Sequence, residues 1–430
     1  MSDSQIRGLA SLSFFPGEIG ATALNNSKIE SGKEFNPRGN YDAEFIEWFR
    51  GFTDAEGCFM IVHLRDNFWR FSFEIKLHKD DLNALEKIQE MLGIGNIYAS
   101  GSSCRLIITK QQEIKKIIEI FSEFPLNSIK ELNFQDWKKA FFIYTDKLEV
   151  SSGEKVTLAA RNNKIIESIK NGMNTKRVFD TEDSRNIRIT PSWLLGFVEG
   201  DGSWFVGGLN SKSKYQMIFS ISQSNKDLVL MSKIKEYFDN LSGCYEEVAK
   251  LPLTSDNRGM LDLIIRKKKF IYEKLIPHFL ALNWYTKKEK DFKDFILIFK
   301  LKELGYHYTE EGREMIELLK NQMNNNRLTT SELNHNIDKE ELILRINELL
   351  SKGSNYEEQS DGTVLIKSTN STLSGLKKSI SVLDENGNLL YEFDSMEKCG
   401  KFFNTSHATI RRRYRDGKPF KHENKVIFFK

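Results

Sequence analysis

Two acidic residues of this chain stand one position before a glycine, at the end of an apolar stretch. Glu56 closes WFRGFTDAEG and Asp201 closes WLLGFVEGDG. If both stretches are helices, the acids lie at helix C-termini, where the backbone already carries partial negative charge. If two such helix ends lie side by side, a divalent cation between them would relieve the electrostatic repulsion of the two acids. Oxygen ligands with room for water and phosphate suit Mg²⁺. The chemistry then available is metal-assisted hydrolysis of a phosphodiester.

A simpler interpretation is that each acid ends an exposed helix on a solvated loop. That interpretation would be preferred for a single copy, whereas two copies with the acid in the same register favour the metal site. Asp54 and Glu199 stand two residues earlier, about 200° around a helix of 3.6 residues per turn. We expect these two to contact solvent or to cap neighbouring backbone.

The two acidic stretches belong to a longer internal repeat. FEIKLHKDDLNALEKI (73–88) matches FSISQSNKDLVLMSKI (219–234), LIITKQQEI (106–114) matches LIIRKKKFI (263–271), and SIKELNFQDW (128–137) matches TKKEKDFKDF (286–295). Collinear matches in the same order indicate a duplication. The residue pattern of each copy predicts a helix, two strands, a helix, more strands and a helix.

Turn and cap residues define the first helix of each copy. Asp42 is a good N-cap for the first copy, and Thr190-Pro191 is a cap followed by proline in the first helical turn. Gly57 and Gly202 are expected to end these helices as C′ glycines.

The strands that follow predict one apolar and one polar sheet face. Phe71, Phe73 and Ile75 alternate with long polar residues, and the second copy repeats the pattern. A polar face is often merely solvated, but its recurrence in both copies favours contact with base edges and phosphates. The candidate DNA contacts are Arg65, Arg70, Ser72, Glu74, Lys76, Asn210, Lys212, Lys214, Gln216, Ser220 and Ser222, with Lys110, Lys267, Lys268 and Lys269 on the phosphate backbone.

The stretches FRGFTDAEG (49–57) and LLGFVEGDG (194–202) resemble the two signature helices of a single-chain LAGLIDADG homing endonuclease. The resemblance implies an α+β fold of two pseudo-symmetric αββαββα halves, whose sheets form a saddle over a long DNA site. It implies that Glu56 and Asp201, with Gly57 and Gly202, hold two or three Mg²⁺ ions and that each half cuts one strand. Small residues at Gly51 and Gly196 would allow the helices to approach closely.

Three further residues are catalytic candidates by the same resemblance. Gln223 matches a glutamine often found beside the metals, but its counterpart in the first copy is Leu77, which suggests unequal cutting of the two strands. Lys130 and Lys288 match a lysine near the scissile phosphate. A solvated lysine at a helix start is an equally good interpretation of both.

The chain divides into six predicted segments. Residues 1–40 form an extended lead-in, 41–150 the first repeat, 151–189 a linker, 190–304 the second repeat, and 305–375 an acidic helical connector that becomes a flexible linker from 351. Residues 376–430 form a basic domain. Residues 305–374 carry 7 Lys/Arg against 12 Asp/Glu, and 375–430 carry 12 against 7. The basic end therefore suits a polyanion.

Residues 381–420 of the basic domain predict a hairpin around Asn386-Gly387, then two short helices beginning at Ser395 and Ser406. Such a pair, the second helix rich in arginine, fits a helix-turn-helix and resembles a nuclease-associated modular domain. A basic surface helix without groove preference is the alternative. The candidate DNA contacts are Ser406, His407, Thr409, Arg411, Arg412 and Arg413.

The function expected from the sequence is a monomeric, Mg²⁺-dependent endonuclease that makes a staggered cut at a long, specific DNA site and promotes intron mobility. An intron maturase that binds RNA is the alternative, and a non-catalytic DNA-binding regulator is a third possibility. The Lys-, Asn- and Ile-rich composition suggests an organellar, mitochondrial gene. No apolar run approaches the roughly 18 residues that a membrane span requires.

Overall fold

The computed structural model describes residues 42–66, 68–146, 152–174, 177, 185–208, 215–242, 248–250, 259–331, 338–359, 363–373, 380–393, 395–422 and 425–430. The lead-in expected at 1–40 lies outside these residues. The chain forms a larger compact unit, within residues 32–299 and 315–339, and a smaller unit that includes 300–314 and 340–430. In the described ranges, no helix has the length and apolar character needed to cross a membrane.

The first repeat of the larger unit begins with a helix that Asp42 caps through its side chain. Its elements are α1 (Ala43–Glu56), β1 (Gly57–Arg65), β2 (Phe68–His78), α2 (Leu82–Leu92), β3 (Asn96–Ser100), β4 (Ser103–Ile108), α3 (Gln111–Glu123), α4 (Lys130–Thr145) and α5 (Ser152–Gly172).

The second repeat has the same order of elements, and Thr190 caps its first helix. Its elements are α6 (Pro191–Asp201), β5 (Gly202–Gly208), β6 (Tyr215–Ser224), α7 (Leu228–Leu241), β7 (Ala249–Lys250), β8 (Met260–Ile265), α8 (Lys268–Phe270 with its continuation Ile271–Leu275 and Ile276–Leu280), α9 (Lys288–Glu303) and α10 (Glu310–Lys320).

Each repeat folds around an antiparallel four-stranded sheet, with strand orders β1-β2-β4-β3 and β5-β6-β8-β7. Equivalent aromatic residues fill the two cores. The rings of Phe59 and Phe134 lie 5.4 Å apart, and those of Trp204 and Phe292 lie 4.8 Å apart. The expected αββαββ order is present in both repeats, but three helices rather than one follow it.

The glycines after α1 and α6 do not adopt the expected left-handed C′ conformation. Gly57 has φ −70° and Gly202 has φ −82°, both extended. A Cβ at either position would lie within 2.8 Å of a backbone oxygen, that of Thr53 at Gly57 or that of Val198 at Gly202. The two glycines end α1 and α6 as expected. Close packing as the helix turns into a strand, rather than a left-handed C′ conformation, is what requires glycine there.

The segment expected to be an inter-repeat linker belongs to the first repeat. It contains α5, and two residues of the sequence MNTKR (173–177) after this helix, Asn174 and Arg177, contact α4. Asn174 N donates to Asn133 Oδ1 at 2.9 Å, and Arg177 Nη2 donates to Asp136 Oδ2 at 2.5 Å. These bonds fix the end of α5 against its own repeat.

The same arrangement recurs 150 positions later, in the segment expected to be an acidic connector. MNNNR (323–327) follows α10. Asn324 N donates to Asp291 Oδ1 at 3.0 Å, and Arg327 Nη2 donates to Asp294 Oδ2 at 2.5 Å. The duplicated unit therefore extends beyond its expected end in both copies, from 150 to 177 and from 304 to 327. The shared M-N-x-x-R pattern is the sequence signal for this extension.

The smaller unit contains two small sheets. Helix α11 (Lys339–Ser351) leads into β9 (Tyr356–Glu358), β10 (Val364–Ile366) and β11 (Ser371–Thr372). The expectation of a flexible linker from 351 was therefore wrong for the described residues. The strands could not be predicted because their apolar residues are isolated in a polar segment. In the structure, the Tyr356 ring packs on Gly305, and Asn355 Nδ2 donates to Gly305 O at 3.0 Å.

The basic end of the smaller unit has the expected hairpin and helix pair. Its elements are β12 (Ile380–Leu383), β13 (Leu389–Phe393), α12 (Met396–Phe402), α13 (His407–Asp416), β14 (Phe420–His422) and β15 (Lys425–Phe429). Ser395 and Ser406 cap the two helices, as expected. The strand order β13-β12-β15-β14 and a core around Cys399 and Phe403 make this a helix pair packed on a four-stranded sheet.

Candidate active site and DNA interface

Helices α1 and α6 pack along each other with their backbones in direct contact. A Cβ on Gly51 would overlap the carbonyl oxygen of Trp193 and lie 2.8 Å from its carbon. A Cβ on Gly196 would overlap the carbonyl oxygen of Trp48 in the same way. Because only glycine permits this approach, these two positions determine how closely the C-terminal ends of the helices meet.

Two reciprocal hydrogen bonds lock the helix pair. Trp48 Nε1 donates to Glu199 Oε2 at 2.5 Å, and Trp193 Nε1 donates to Asp54 Oδ2 at 2.8 Å. Both acids are buried and also accept hydrogen bonds from backbone N–H groups of their own repeats. Backbone capping is thus confirmed for these two acids, and solvent contact was wrong. Burial raises the pKa of Glu199 to about 7, against the opposing effect of its hydrogen bonds.

The carboxylates of Glu56 and Asp201 lie at the adjoining ends of α1 and α6. A Cβ on Gly200 would lie 3.5 Å from Glu56 Oε1, which places this carboxylate against the last turn of α6. The pKa of Asp201 is raised to about 6, chiefly by burial; the positive charge of Lys130 lowers it and the negative charge of Glu56 raises it. Burial likewise raises the pKa of Glu56. The two acids therefore share one poorly solvated space and interact electrostatically.

Lys130 and Lys288 are not solvated lysines. Lys130 Nζ donates to Thr53 O at 3.3 Å and to Ala55 O at 2.5 Å, at the end of α1. Lys288 Nζ donates to the carbonyl oxygens of residues 200 and 202, at 2.8 and 2.6 Å, at the end of α6. Burial lowers the pKa of both lysines, and Asp201 opposes this shift in each. Each ammonium group thus faces a negative helix end beside a candidate catalytic carboxylate.

The glutamine position distinguishes the two repeats. Gln223 Nε2 donates to Asp201 Oδ2 at 2.9 Å. Ile221 pairs with Gly202 and Ile75 pairs with Gly57, so Leu77 is the structural equivalent of Gln223. Leu77 has no polar group to orient Glu56. The asymmetry expected from the sequence therefore exists in the contacts of the two carboxylates.

The donor set fits a divalent cation that completes its coordination with water and phosphate. No group of three or more His, Cys, Asp or Glu residues in the described part of the chain could hold a metal by itself. Two carboxylates suit Mg²⁺, which is often bound by one or two carboxylates plus substrate phosphates. Gly202 is a poor further ligand because its carbonyl oxygen accepts from the Lys288 ammonium group. Gly57 stays a prediction.

Metal affinity at this site is expected to fall as the pH drops below about 6. Asp201 must lose its proton to bind a cation, and its pKa is raised to about 6. Apparent affinity should fall roughly tenfold per pH unit below that value. In metal-free protein the same shift has the opposite consequence: the stability contributed by this carboxyl group is greatest below pH 4 and is lost as the pH rises through 6.

The measurement is a calorimetric titration of Mg²⁺ or Ca²⁺ into the protein–DNA complex at pH 5, 6, 7 and 8. Asp201→Asn is the matched control, since its residual binding should depend less on pH. An affinity that stays constant between pH 5 and 7 would contradict the assignment of Asp201.

The hairpin of β1 and β2 places four of the expected DNA contacts on the surface or close to it. Arg70 and Lys76 are exposed, and Glu74 is half-buried. Arg65, at the hairpin tip, is exposed over the ring of Phe68 at 5.9 Å. The expected exposure of Ser72 was wrong: this residue is 1% exposed, and its hydroxyl group donates to Glu74 Oε1 at 3.0 Å.

Two further residues on this face were missed by the sequence analysis. Arg105 on β4 pairs with Lys76 on one side and with Tyr98 on the other, and all three are exposed. The alternation in RLII (105–108) was the available signal. Like charges directly opposite each other destabilise a sheet. The Lys76–Arg105 pair therefore indicates a surface that binds an anion.

The equivalent face of the second repeat is less basic in its described part. Gln216 is exposed and Ser220 is half-buried. Ser222 and Asp262 occupy the positions of Lys76 and Arg105, and Ser222 Oγ donates to Asp262 Oδ1 at 2.5 Å. The predicted contacts Asn210, Lys212 and Lys214 lie outside the described residues.

The lysines expected on the phosphate backbone lie where strands lead into helices. Lys110 follows β4, is exposed, and pairs with Glu113 at 2.9 Å. Lys268 and Lys269 are exposed in the first turn of α8, and Lys267 immediately before them is half-buried. Their contact with phosphate stays a prediction.

Helix α13 of the smaller unit presents an arginine-rich exposed face. His407, Arg411 and Arg412 are exposed, while the half-buried Arg413 lies 3.6 Å from Asp416 and contributes less to that face. Ser406 and Thr409 bond to each other at the helix start. Arg415 lines the same surface depression as Ala408, Arg411 and Arg412.

Known proteins resemble the two repeats in sequence and structure. The LAGLIDADG endonuclease family matches residues 49–141 and 194–299. The "Uncharacterized mitochondrial protein RF1" of Saccharomyces cerevisiae is 25% identical over 423 residues, which cover 93% of this chain and 85% of that protein. The "Probable intron-encoded endonuclease Cox1-I1b" of Schizosaccharomyces pombe is 32% identical over 204 residues, 46% of this chain and half of that protein.

A solved structure of a LAGLIDADG endonuclease is also similar in fold. The LAGLIDADG homing endonuclease I-GzeII, in complex with its DNA target, superposes with a TM-score of 0.58 at 29% identity, covering 65% of this chain and 99% of that one. Both matched segments contain a signature helix with its acid, and they coincide with the two repeats described above. Through these repeats the chain belongs to the LAGLIDADG endonuclease family.

Proposed function

We propose that this protein is a site-specific homing endonuclease that hydrolyses both strands of a long DNA target in a divalent-metal-dependent reaction, with Mg²⁺ as the physiological ion. It acts as a monomer on double-stranded DNA, makes a staggered cut and promotes the mobility of the intron or element that encodes it. Its origin is mitochondrial. The observation that carries the proposal is the convergence of Glu56 and Asp201 at the adjoining ends of two glycine-packed helices.

The residues of the chain have separate parts in this reaction. Glu56 and Asp201 supply the carboxylate oxygens that would hold the cation, and Gln223 orients Asp201. When bound, the cation generates a nucleophile from water and stabilises the leaving oxygen. Lys130 and Lys288 provide positive charge beside the carboxylates, where the phosphate would lie. The close packing around them keeps solvation low, which strengthens each of these interactions.

The primary test incubates purified protein and Mg²⁺ with duplex DNA that spans the intron-less insertion locus, or with a randomised duplex library. The expected result is cutting of both strands at staggered positions within one sequence, and no cutting when the cation is chelated. Intact DNA together with tight, specific binding of intron RNA would contradict the proposal and support the maturase alternative.

We expect the exposed arginines of α13 to strengthen DNA binding without taking part in the cut. Replacing Arg411, Arg412 and Arg415 together by glutamine should lower affinity roughly tenfold or more and reduce the slope of log affinity against log salt by about 3, if each contacts a phosphate. The cutting rate on saturating DNA should stay unchanged. Filter binding over a salt series checks this.

The matched control is Lys401→Gln, which removes an exposed positive charge of α12 that pairs with Glu397 at 3.1 Å. An unchanged salt dependence in the triple variant would show that α13 does not contact the DNA backbone.

A further inference from the structure

Two aspartates at equivalent helix starts do not cap the helices that they begin. Asp81 is the N-cap residue of α2 and Asp227 that of α7, and neither side chain accepts a hydrogen bond from its own helix. An aspartate at this position normally accepts from the N–H groups of the first turn. Both are nevertheless buried, at 9% and 2% exposure. Their carboxylates must therefore be used elsewhere.

Each of these carboxylates bonds to the opposite repeat. Asp81 Oδ1 accepts from Lys287 N at 2.8 Å, and its Oδ2 forms an ion pair with the Lys287 ammonium group. Asp227 Oδ1 accepts from Ile129 N at 2.8 Å and from Arg185 Nη1 at 3.1 Å. The two backbone N–H groups immediately precede the lysines that begin α9 and α4.

The buried acids of the signature helices also accept backbone hydrogen bonds just before the same two helices, α4 and α9. Asp54 accepts from the backbone N–H groups of residues 127–128 at 2.9 and 2.7 Å. Glu199 accepts from those of residues 285–286 at 2.9 and 2.6 Å. Three consecutive N–H groups before each lysine are thus held by one carboxylate from each repeat. These groups stand immediately before the first turns of α4 and α9, where negative charge is stabilising.

We propose that Asp81 and Asp227 are positioning residues, each of which fixes the lysine of the opposite repeat. Asp227 holds the start of α4 so that Lys130 reaches the end of α1, and Asp81 holds the start of α9 so that Lys288 reaches the end of α6. This inference rests on the proposed function, since it takes both lysines to act beside the catalytic carboxylates. The consequence is that each cut depends on an aspartate in the repeat that does not contain its lysine.

Two other roles for these aspartates predict different results. If they only hold the repeats together, their loss slows both cuts equally. If Asp81 acts through its charge, the effect appears at Glu56 in its own repeat, whose pKa its charge raises. Only the positioning role predicts that loss of Asp81 slows the cut that Lys288 serves. It likewise predicts that loss of Asp227 slows the cut that Lys130 serves.

The test measures single-turnover cutting of each strand of a duplex labelled on both strands, in the full-length protein. Lys130→Met and Lys288→Met first identify which strand each lysine serves. Asp227→Asn should then lower, by roughly tenfold, the cutting rate of the same strand that Lys130→Met affects. The cutting rate of the other strand should change by less than about twofold. Asp81→Asn should slow the strand that Lys288→Met slows. The two aspartate variants are matched controls for each other.

Equal slowing of both strands overturns the inference, as does a reversed pairing of aspartate and lysine variants. The same holds if neither lysine variant distinguishes the strands. A wild-type protein that binds the duplex and cuts neither strand overturns the proposed function and this inference together. If the asparagine variants do not fold, Asp81→Glu and Asp227→Glu retain the charge, move the acceptor by one methylene group and carry the same comparison.

Discussion

Replacing Asp201 with asparagine is expected to slow cutting of DNA by roughly a hundredfold to a thousandfold, while the protein still folds and binds its target. The amide cannot supply the charge that holds the cation, and an oriented charge at the reacting centre is commonly worth about 10²–10³ in rate. Glu56→Gln should have an effect of the same order. Single-turnover cutting with Mg²⁺ and binding with Ca²⁺ measure the two properties separately.

The same variant should be more stable than wild type in the absence of metal. The pKa of Asp201 is raised to about 6, so at pH 7 its ionised form destabilises the folded state. Removing that charge should increase the free energy of unfolding by about 1–3 kcal/mol, because burial disfavours the ionised carboxyl group more than Lys130 and Lys288 stabilise it. Lost activity with gained stability would exclude misfolding as the cause.

Glu123→Gln is the matched control because Glu123 also ends a helix, α3, but is exposed. It should change neither cutting nor stability by a measurable amount. If Asp201→Asn cuts both strands at the wild-type rate, the metal site lies elsewhere and the proposed mechanism is wrong.

Introducing a methyl group at Gly51 is expected to destabilise the larger unit by about 1–3 kcal/mol, the usual range for overpacking, and most plainly at the upper end because the contact is backbone. The added Cβ would overlap the Trp193 carbonyl oxygen, which is backbone and cannot rotate away. The helices would have to separate by roughly 1 Å to restore van der Waals contact. That separation should also slow cutting, because Glu56 and Asp201 would move apart.

Chemical denaturation of Gly51→Ala and Gly196→Ala measures the loss of stability. The control is Gly172→Ala at the end of α5, where a Cβ would meet nothing within 4 Å. Since alanine favours helix over glycine by up to about 1 kcal/mol, this variant should be unchanged or slightly more stable. An unaltered denaturation midpoint for Gly51→Ala would contradict the packing described for α1 and α6.

The sequence by itself determined the elements whose signals are local and periodic. Helix caps at Asp42, Thr190, Ser395 and Ser406 could be predicted, because a short polar side chain before an apolar helix bonds to the nearest N–H groups. The duplication and the equivalence of Glu56 with Asp201 could also be predicted, because collinear matches preserve register. Alternation in β2 identified the polar sheet face, apart from Ser72.

Only the tertiary structure decided which groups far apart in the chain contact each other. Asp54 and Glu199 were expected at the surface or at nearby backbone, but each also accepts from a tryptophan of the opposite repeat. Asp81 and Asp227 carried no sequence signal beyond that of ordinary N-caps. Their partners are 206 and 98 residues away, respectively.

The physical reason is that local sequence signals reflect how a segment forms its own backbone hydrogen bonds. Burial, in contrast, determines which hydrogen-bond partners its polar side chains require. Once α1 and α6 pack through glycine, any carboxylate near the contact loses water and must find donors, wherever the chain supplies them. The chemistry of the site could therefore be predicted from residue type and register. Its positioning could not, because it depends on which repeat provides each donor.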